Sequence, residues 1–177
     1  MAVGEARPGY ELWRPNRHKA ESQTTRFIVV LLLLVSAALM LIITLGGWKV
    51  LVGGATYGVI SLVMVGIYVL LAVLTWRWSR GALSLVMALS VLYGILCAVG
   101  ADSWFARDKA YFAEAGLSSD LIGLLVLLLI PVQIALLIAA AIAFNQEWHV
   151  EEERPIGSGD DAGGEKTAET GSLAGAS

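Results

Sequence analysis

The sequence has little charge and almost none of the residues that carry chemistry. Its 177 residues include one cysteine, two histidines and four prolines, and 15% are charged. A lone cysteine, Cys97, excludes an internal disulfide, a paired-thiol redox centre and a thiolate zinc cage. His18 and His149 lie far apart in polar flanks, which leaves no ligand spacing for haem or a metal ion. No Ser-His-Asp set, HExxH motif or P-loop can be assembled, so nothing points to an enzyme or to a bound cofactor. A net charge of −3 offers no basic footprint for nucleic acid.

Apolar residues take the place of all this. They make up 57% of the chain, and the mean hydropathy is +0.72. An ordinary soluble domain is roughly one quarter charged. The length suits one domain. The charges are also segregated: none lies between Arg26 and Lys49, between Lys49 and Arg77, from Gly81 to Ala101, or from Leu121 to Gln146. Each gap reaches the ~20 residues with which a helix crosses a ~30 Å hydrocarbon core. A central Leu, Ile, Val or Phe favours insertion by roughly 0.3–0.6 kcal/mol, against a cost of about 3 for lysine. The expected spans are Phe27 to Gly47, Gly54 to Trp76, Gly81 to Ala101 and Asp120 to Gln146. The third is the weakest, being richer in Gly, Ser and Ala. A soluble bundle would need helices with a polar face, and no segment has one.

The fold class is therefore all-α: an integral membrane four-helix bundle of up-down topology. The first run is too long for a signal-peptide core and no clean small-x-small site follows it, so it is expected to stay. Cys97 lies inside the third span, where it is no lipid acceptor. Orientation follows the distribution of Lys and Arg. Arg7, Arg14, Arg17, Lys19, Arg26, Arg77, Arg80, Arg154 and Lys166 fall on one side, and only Lys49, Arg107 and Lys109 on the other. Both termini are thus expected in the cytoplasm and the chain in the cell membrane. Trp48, Trp76, Trp78, Trp104 and Trp148 fall at span ends, where the amphipathic indole anchors at the interface.

Short links at Gly46–Lys49 and Arg77–Arg80 force neighbouring helices together. The long outer loop, Asp102 to Ser119, sets Trp104, Phe105, Tyr111, Phe112 and Ala115 on one helical face, away from Arg107 and Lys109. That pattern predicts a short helix lying in the headgroup layer. Ser118 is placed to cap the fourth span. Residues 1–26 form a basic juxtamembrane tail, 27–146 the transmembrane domain, and 147–177 an acidic, Gly-rich tail expected to be disordered.

Two features inside the spans stand out. Gln133, the one carboxamide in a membrane core, follows Pro131, which removes a backbone donor and predicts a hinge. A bare amide in hydrocarbon is costly, so Gln133 should face partners at its own depth. Ser36, Ser61, Tyr68, Ser90 and Tyr93 are the candidates for this midplane polar layer. Small residues four apart mark close helix packing: Gly54 and Gly58; Ser90, Gly94 and Ala98; Ala135, Ala139 and Ala143. Apart from Asp120 at the very start of the fourth, no Asp, Glu, Lys, Arg or His lies within a span, and such residues mark proton and ion pathways. The expected role is a non-catalytic accessory or structural component of bacterial type. Its partners would be the lipid bilayer and a second copy or another membrane protein. The alternative is a protomer of a small-solute channel or transporter using the layer around Gln133.

Overall fold

In the computed structural model the described residues are 8–50, 55–105, 116–146, 148 and 150–156. Among them the chain is mostly helical, with four helices long and apolar enough to cross a membrane. A strand, β1 (Tyr10–Trp13), and a single turn, α1 (Pro15–His18), precede α2 (Ala20–Gly46). A 3-10 turn (Trp48–Val50) follows, then α3 (Ala55–Trp76), α4 (Arg80–Phe105), α5 (Ser119–Asn145) and a strand, β2 (Glu152–Pro155).

Two helices outrun the apolar stretches that predict them. α2 begins seven residues before Phe27, because Ala20–Arg26 contains no helix breaker and packs beside Gln146, the residue that caps the end of α5. Ser22 is buried there, and Gln146 Nε2 donates to Thr25 Oγ1 at 3.0 Å. At the other extreme α4 runs on to Phe105. Trp104 and Phe105 therefore continue α4 and do not start a separate interfacial helix. Phe105 packs against Gly123, where a Cβ would meet the outer end of its ring at 2.8 Å. The remaining positions of that expected helix, Arg107, Lys109, Tyr111, Phe112 and Ala115, lie outside the described residues, as does Gly54. Ser118 caps α5 as its position predicts, accepting from Leu121 N.

Each long helix buries a narrow stripe and exposes the rest. Val29, Leu33, Ala37 and Met40 of α2 meet Tyr68, Leu71 and Ala72 of α3, Leu83 and Val86 of α4, and Leu129, Leu136 and Ala140 of α5. The outward faces are just as apolar: Val63, Leu70, Leu92, Leu124, Ile134 and Ile138 are each more than half exposed. Water would penalise that surface at roughly 25 cal/mol per Å², so hydrocarbon is its natural surrounding.

Order at the ends of the chain comes from pairing. β1 and β2 form an antiparallel ribbon with Tyr10 opposite Pro155 and Trp13 opposite Glu152. Arg14 forms an ion pair with Glu151, and its Nε donates at 2.8 Å. The tail from residue 147 thus contributes a strand, although its composition predicts no order. A ladder of backbone hydrogen bonds needs no apolar periodicity in the sequence.

Gly58 carries the tightest constraint at the opposite end, since a Cβ there would sit 2.5 Å from the Trp48 ring. Gly66, on the same helix, has nothing within 4 Å of that position. Gly58→Ala is expected to cost about 1–3 kcal/mol through overpacking, and Gly66→Ala to be neutral or slightly stabilising. Unfolding titrations in mixed micelles measure both.

Candidate functional site

Gln133 sits in the middle of α5 and is 1% exposed. Its Nε2 donates to Ser36 Oγ on α2 at 3.0 Å, and its Oε1 accepts from the Tyr68 hydroxyl on α3 at 3.0 Å. One carboxamide thereby joins three helices. The Tyr68 ring meets Tyr93 of α4 edge to face, with centroids 6.1 Å apart, which brings the fourth helix to the same layer. Residues Ser36, Tyr68 and Gln133 come together as their depth predicts.

The other hydroxyls do something different. Ser61 shares a 2.7 Å hydrogen bond with Thr44, which also donates to Met40 O within α2. Thr44 and Ser61 thus form a second polar pair about two turns from Ser36 and Tyr68, while Tyr93 stays beside Tyr68. Thr44 is absent from the sequence-derived set because it lies near a helix end. Ser90 turns back on its own helix and donates to Val86 O at 2.8 Å. Thr75, wholly buried near the end of α3, has no partner for its hydroxyl among the described residues.

A crevice of about 270 Å³ opens between α4 and α5 beside this layer. Ser90, Gly94, Ala98 and Gln133 line it, with Ile95 and Ile134 among the apolar walls. The small-residue stripe of α4 explains it: at Gly94 a Cβ would come within 3.6 Å of Gln133 Cβ, while Ala98 is exposed. On α5, Ala139 and Ala143 are buried and Ala135 is exposed. Pro131 also faces outward, and α5 runs through it without a break.

Arginines and tryptophans meet at the end of the bundle where α3 stops. Trp78 there has φ 64°, left-handed backbone that a bulky residue rarely adopts. Trp78 N bonds to Thr75 O and Ser79 N to Leu74 O, both at 3.0 Å, which is the Schellman closure usually made by glycine. The Trp78 ring offsets that strain with its contacts. Trp148 packs on it edge to face at 5.0 Å, and the Arg26 and Arg17 guanidinium carbons lie 4.1 and 5.6 Å from its centroid. Arg26 also covers Trp76 at 4.4 Å, and Arg80 covers Phe144 at 4.4 Å. Each cation–π contact contributes about 0.5–2 kcal/mol.

Burial, with Arg14 beside it, lowers the Arg17 proton affinity, and Glu151 opposes the shift. Arg17 stays cationic at neutral pH, and its Nε donates to Trp148 O at 3.2 Å. Of the five expected interface tryptophans, Trp76 is exposed and Trp48, Trp78 and Trp104 are half-buried. Trp148 is 1% exposed and packs inside the protein, not at its rim. This cluster was legible in the sequence only as charge near a span end, since its geometry depends on the Trp78 backbone.

Among the described residues no group of His, Cys, Asp or Glu could hold a metal ion. No family model, curated protein or solved structure matches the chain.

Gln133→Leu strands the Tyr68 and Ser36 hydroxyls and is expected to cost about 1–2 kcal/mol. Combined with Tyr68→Phe in a double-mutant cycle, it should show a coupling of roughly 0.6–1.7 kcal/mol. Thr75→Val removes an unpaired hydroxyl and should be neutral or stabilising. Detergent unfolding of the four variants reads all three effects.

Proposed function

We propose that the chain is a non-catalytic accessory or structural component of the cell membrane, an up-down four-helix bundle with both termini in the cytoplasm. The observation that carries this reading is how the midplane polar groups are used. Gln133 is bonded through both its nitrogen and its oxygen and is almost fully covered, which supports a role for these hydrogen bonds in helix assembly. The absence of any acidic, basic or histidine side chain from the four uncharged stretches of the sequence agrees with this. The orientation rests on the excess of Arg and Lys at the end that carries both tails. Its work would be done by helix faces and by a membrane-protein partner or a second copy.

A second reading, a protomer of a small-solute channel or transporter, draws on the crevice between α4 and α5, where Ser90 and Gln133 join the lining. The two readings part on one variant. In proteoliposomes, Gln133→Leu should leave solute flux at the level of protein-free vesicles, as with the unmodified chain. Measurable flux in the unmodified chain, lost in the variant, would install the transport reading instead. For the orientation, a reporter fused after Ser177 is expected to be active only in its cytoplasmic form. Activity of a periplasm-dependent reporter at the same position contradicts it.

A further inference from the structure

We propose that the crevice between α2 and α3, capped by Arg26, holds one anionic phospholipid, its phosphate on the guanidinium and an acyl chain in the crevice. The inference goes beyond the accessory role and rests only on α2 and α3 lying in lipid.

Arg26, Val30 and Leu34 recur at four-residue spacing, which places them one above another on a single face of α2. Val69, Val73 and Trp76, spaced four and then three apart, share one face of α3 in the same way. The crevice between these two stripes has a volume of about 190 Å³ and is lined by Val30, Leu34, Val69, Ala72, Val73 and Trp76. Every lining side chain is uncharged, and all but Trp76 are aliphatic, so nothing there would hold water or a free ion. An acyl chain fits that chemistry.

The mouth of the crevice has the opposite character. Arg26 is held in place by Trp76 and Trp78, at 4.4 and 4.1 Å, and its Nη1 donates to Trp76 O at 3.3 Å. These contacts fix the plane of the guanidinium and leave its charge unneutralised, because among the described residues Arg26 has no acidic partner. Arg77, exposed and next to Trp76 in the chain, has none either. Trp76 is exposed, and so is Phe27, which follows Arg26 in the chain and opens the apolar run; this sets the charge at the edge of the apolar belt, the depth of a lipid phosphate. A pre-oriented guanidinium forms strong charge-assisted bonds to phosphate oxygens. A zwitterionic headgroup would bring its own cation towards Arg26 and Arg77, so the pair selects for net negative charge. Inorganic phosphate satisfies the arginine and leaves the crevice empty.

The test is titration of the full chain in nonionic detergent, read by native mass spectrometry. The ligands are phosphatidylglycerol, phosphatidylcholine and inorganic phosphate. Phosphatidylglycerol should be retained one to one and at least about tenfold tighter than phosphatidylcholine, with no retention of inorganic phosphate. Arg26→Gln should weaken phosphatidylglycerol by about tenfold or more. Val69→Trp, which fills the crevice from its exposed side, should do the same with Arg26 intact, and it carries the test if the arginine variant fails to fold. Lys49→Gln, at the other end of the bundle, should bind as the unmodified chain does. Equal affinity for the two lipids, retention of inorganic phosphate comparable to that of phosphatidylglycerol, or unchanged binding in either site variant overturns the proposal. Failure of this kind is distinct from failure of the membrane reading, which would show as a chain that stays folded and dispersed with no amphiphile at all.

Discussion

A polar group inside hydrocarbon must find its partner within the protein, and the hydrogen bonds of Gln133 to Tyr68 and Ser36 meet that requirement here. Apolar stripes alone do not align helices in lipid, because the tails of the bilayer are as apolar as the leucines they would replace. Close approach and directional bonds have to set the register. One carboxamide that donates to α2 and accepts from α3 fixes the depth of α5 against both. The edge contact of Tyr68 with Tyr93 carries that registration to α4. Glycines then set the spacing: Gly58 under Trp48, Gly123 under Phe105.

The two ends of the molecule are held by other means. At one end the contacts are steric, with ring against glycine and the 3-10 turn tucked against α3. The other end is held by charge and aromatic faces, with Trp78 in a backbone conformation that its neighbours must stabilise. Trp148 makes the ribbon part of that arrangement: it packs on Trp78 while Arg17 binds its carbonyl. The tails that flank the bundle are thereby tied to the helix ends through Trp148 and Arg17 on Trp78, and to each other through the ribbon and the pair Arg14–Glu151.

Much of this is written in the sequence where a single physical variable dominates. Four uncharged runs give four long helices because hydropathy and length suffice to define a span. The Gln133 layer is legible through depth alone, which brings Ser36 and Tyr68 to it correctly. Counting from span midpoints does not fix which neighbour a hydroxyl meets, however: Ser61 pairs with Thr44 about two turns away, and Ser90 binds its own backbone. The extension of α4 to Phe105 is hidden because Trp104 and Phe105 also fit the face of a surface helix. The ribbon is hidden because its strands lie at opposite ends of the chain, Trp13 pairing with Glu152 and Tyr10 with Pro155, and pair through backbone groups that every sequence possesses. The Arg–Trp cluster is hidden because it turns on one left-handed residue, and composition favours glycine there.

The central claim is that hydrocarbon surrounds the four long helices while their polar layer stays inside. Nitroxide scanning in bilayers measures that claim directly. Labels at Val63, Leu70, Ile134 and Ile138, all exposed, should be relaxed strongly by dissolved oxygen and barely by a water-soluble nickel chelate. A label at buried Ala140 should respond weakly to both. Nickel relaxation at Val63 and Ile138 as strong as at Tyr10 would mean that water bathes those faces, and the account would be wrong.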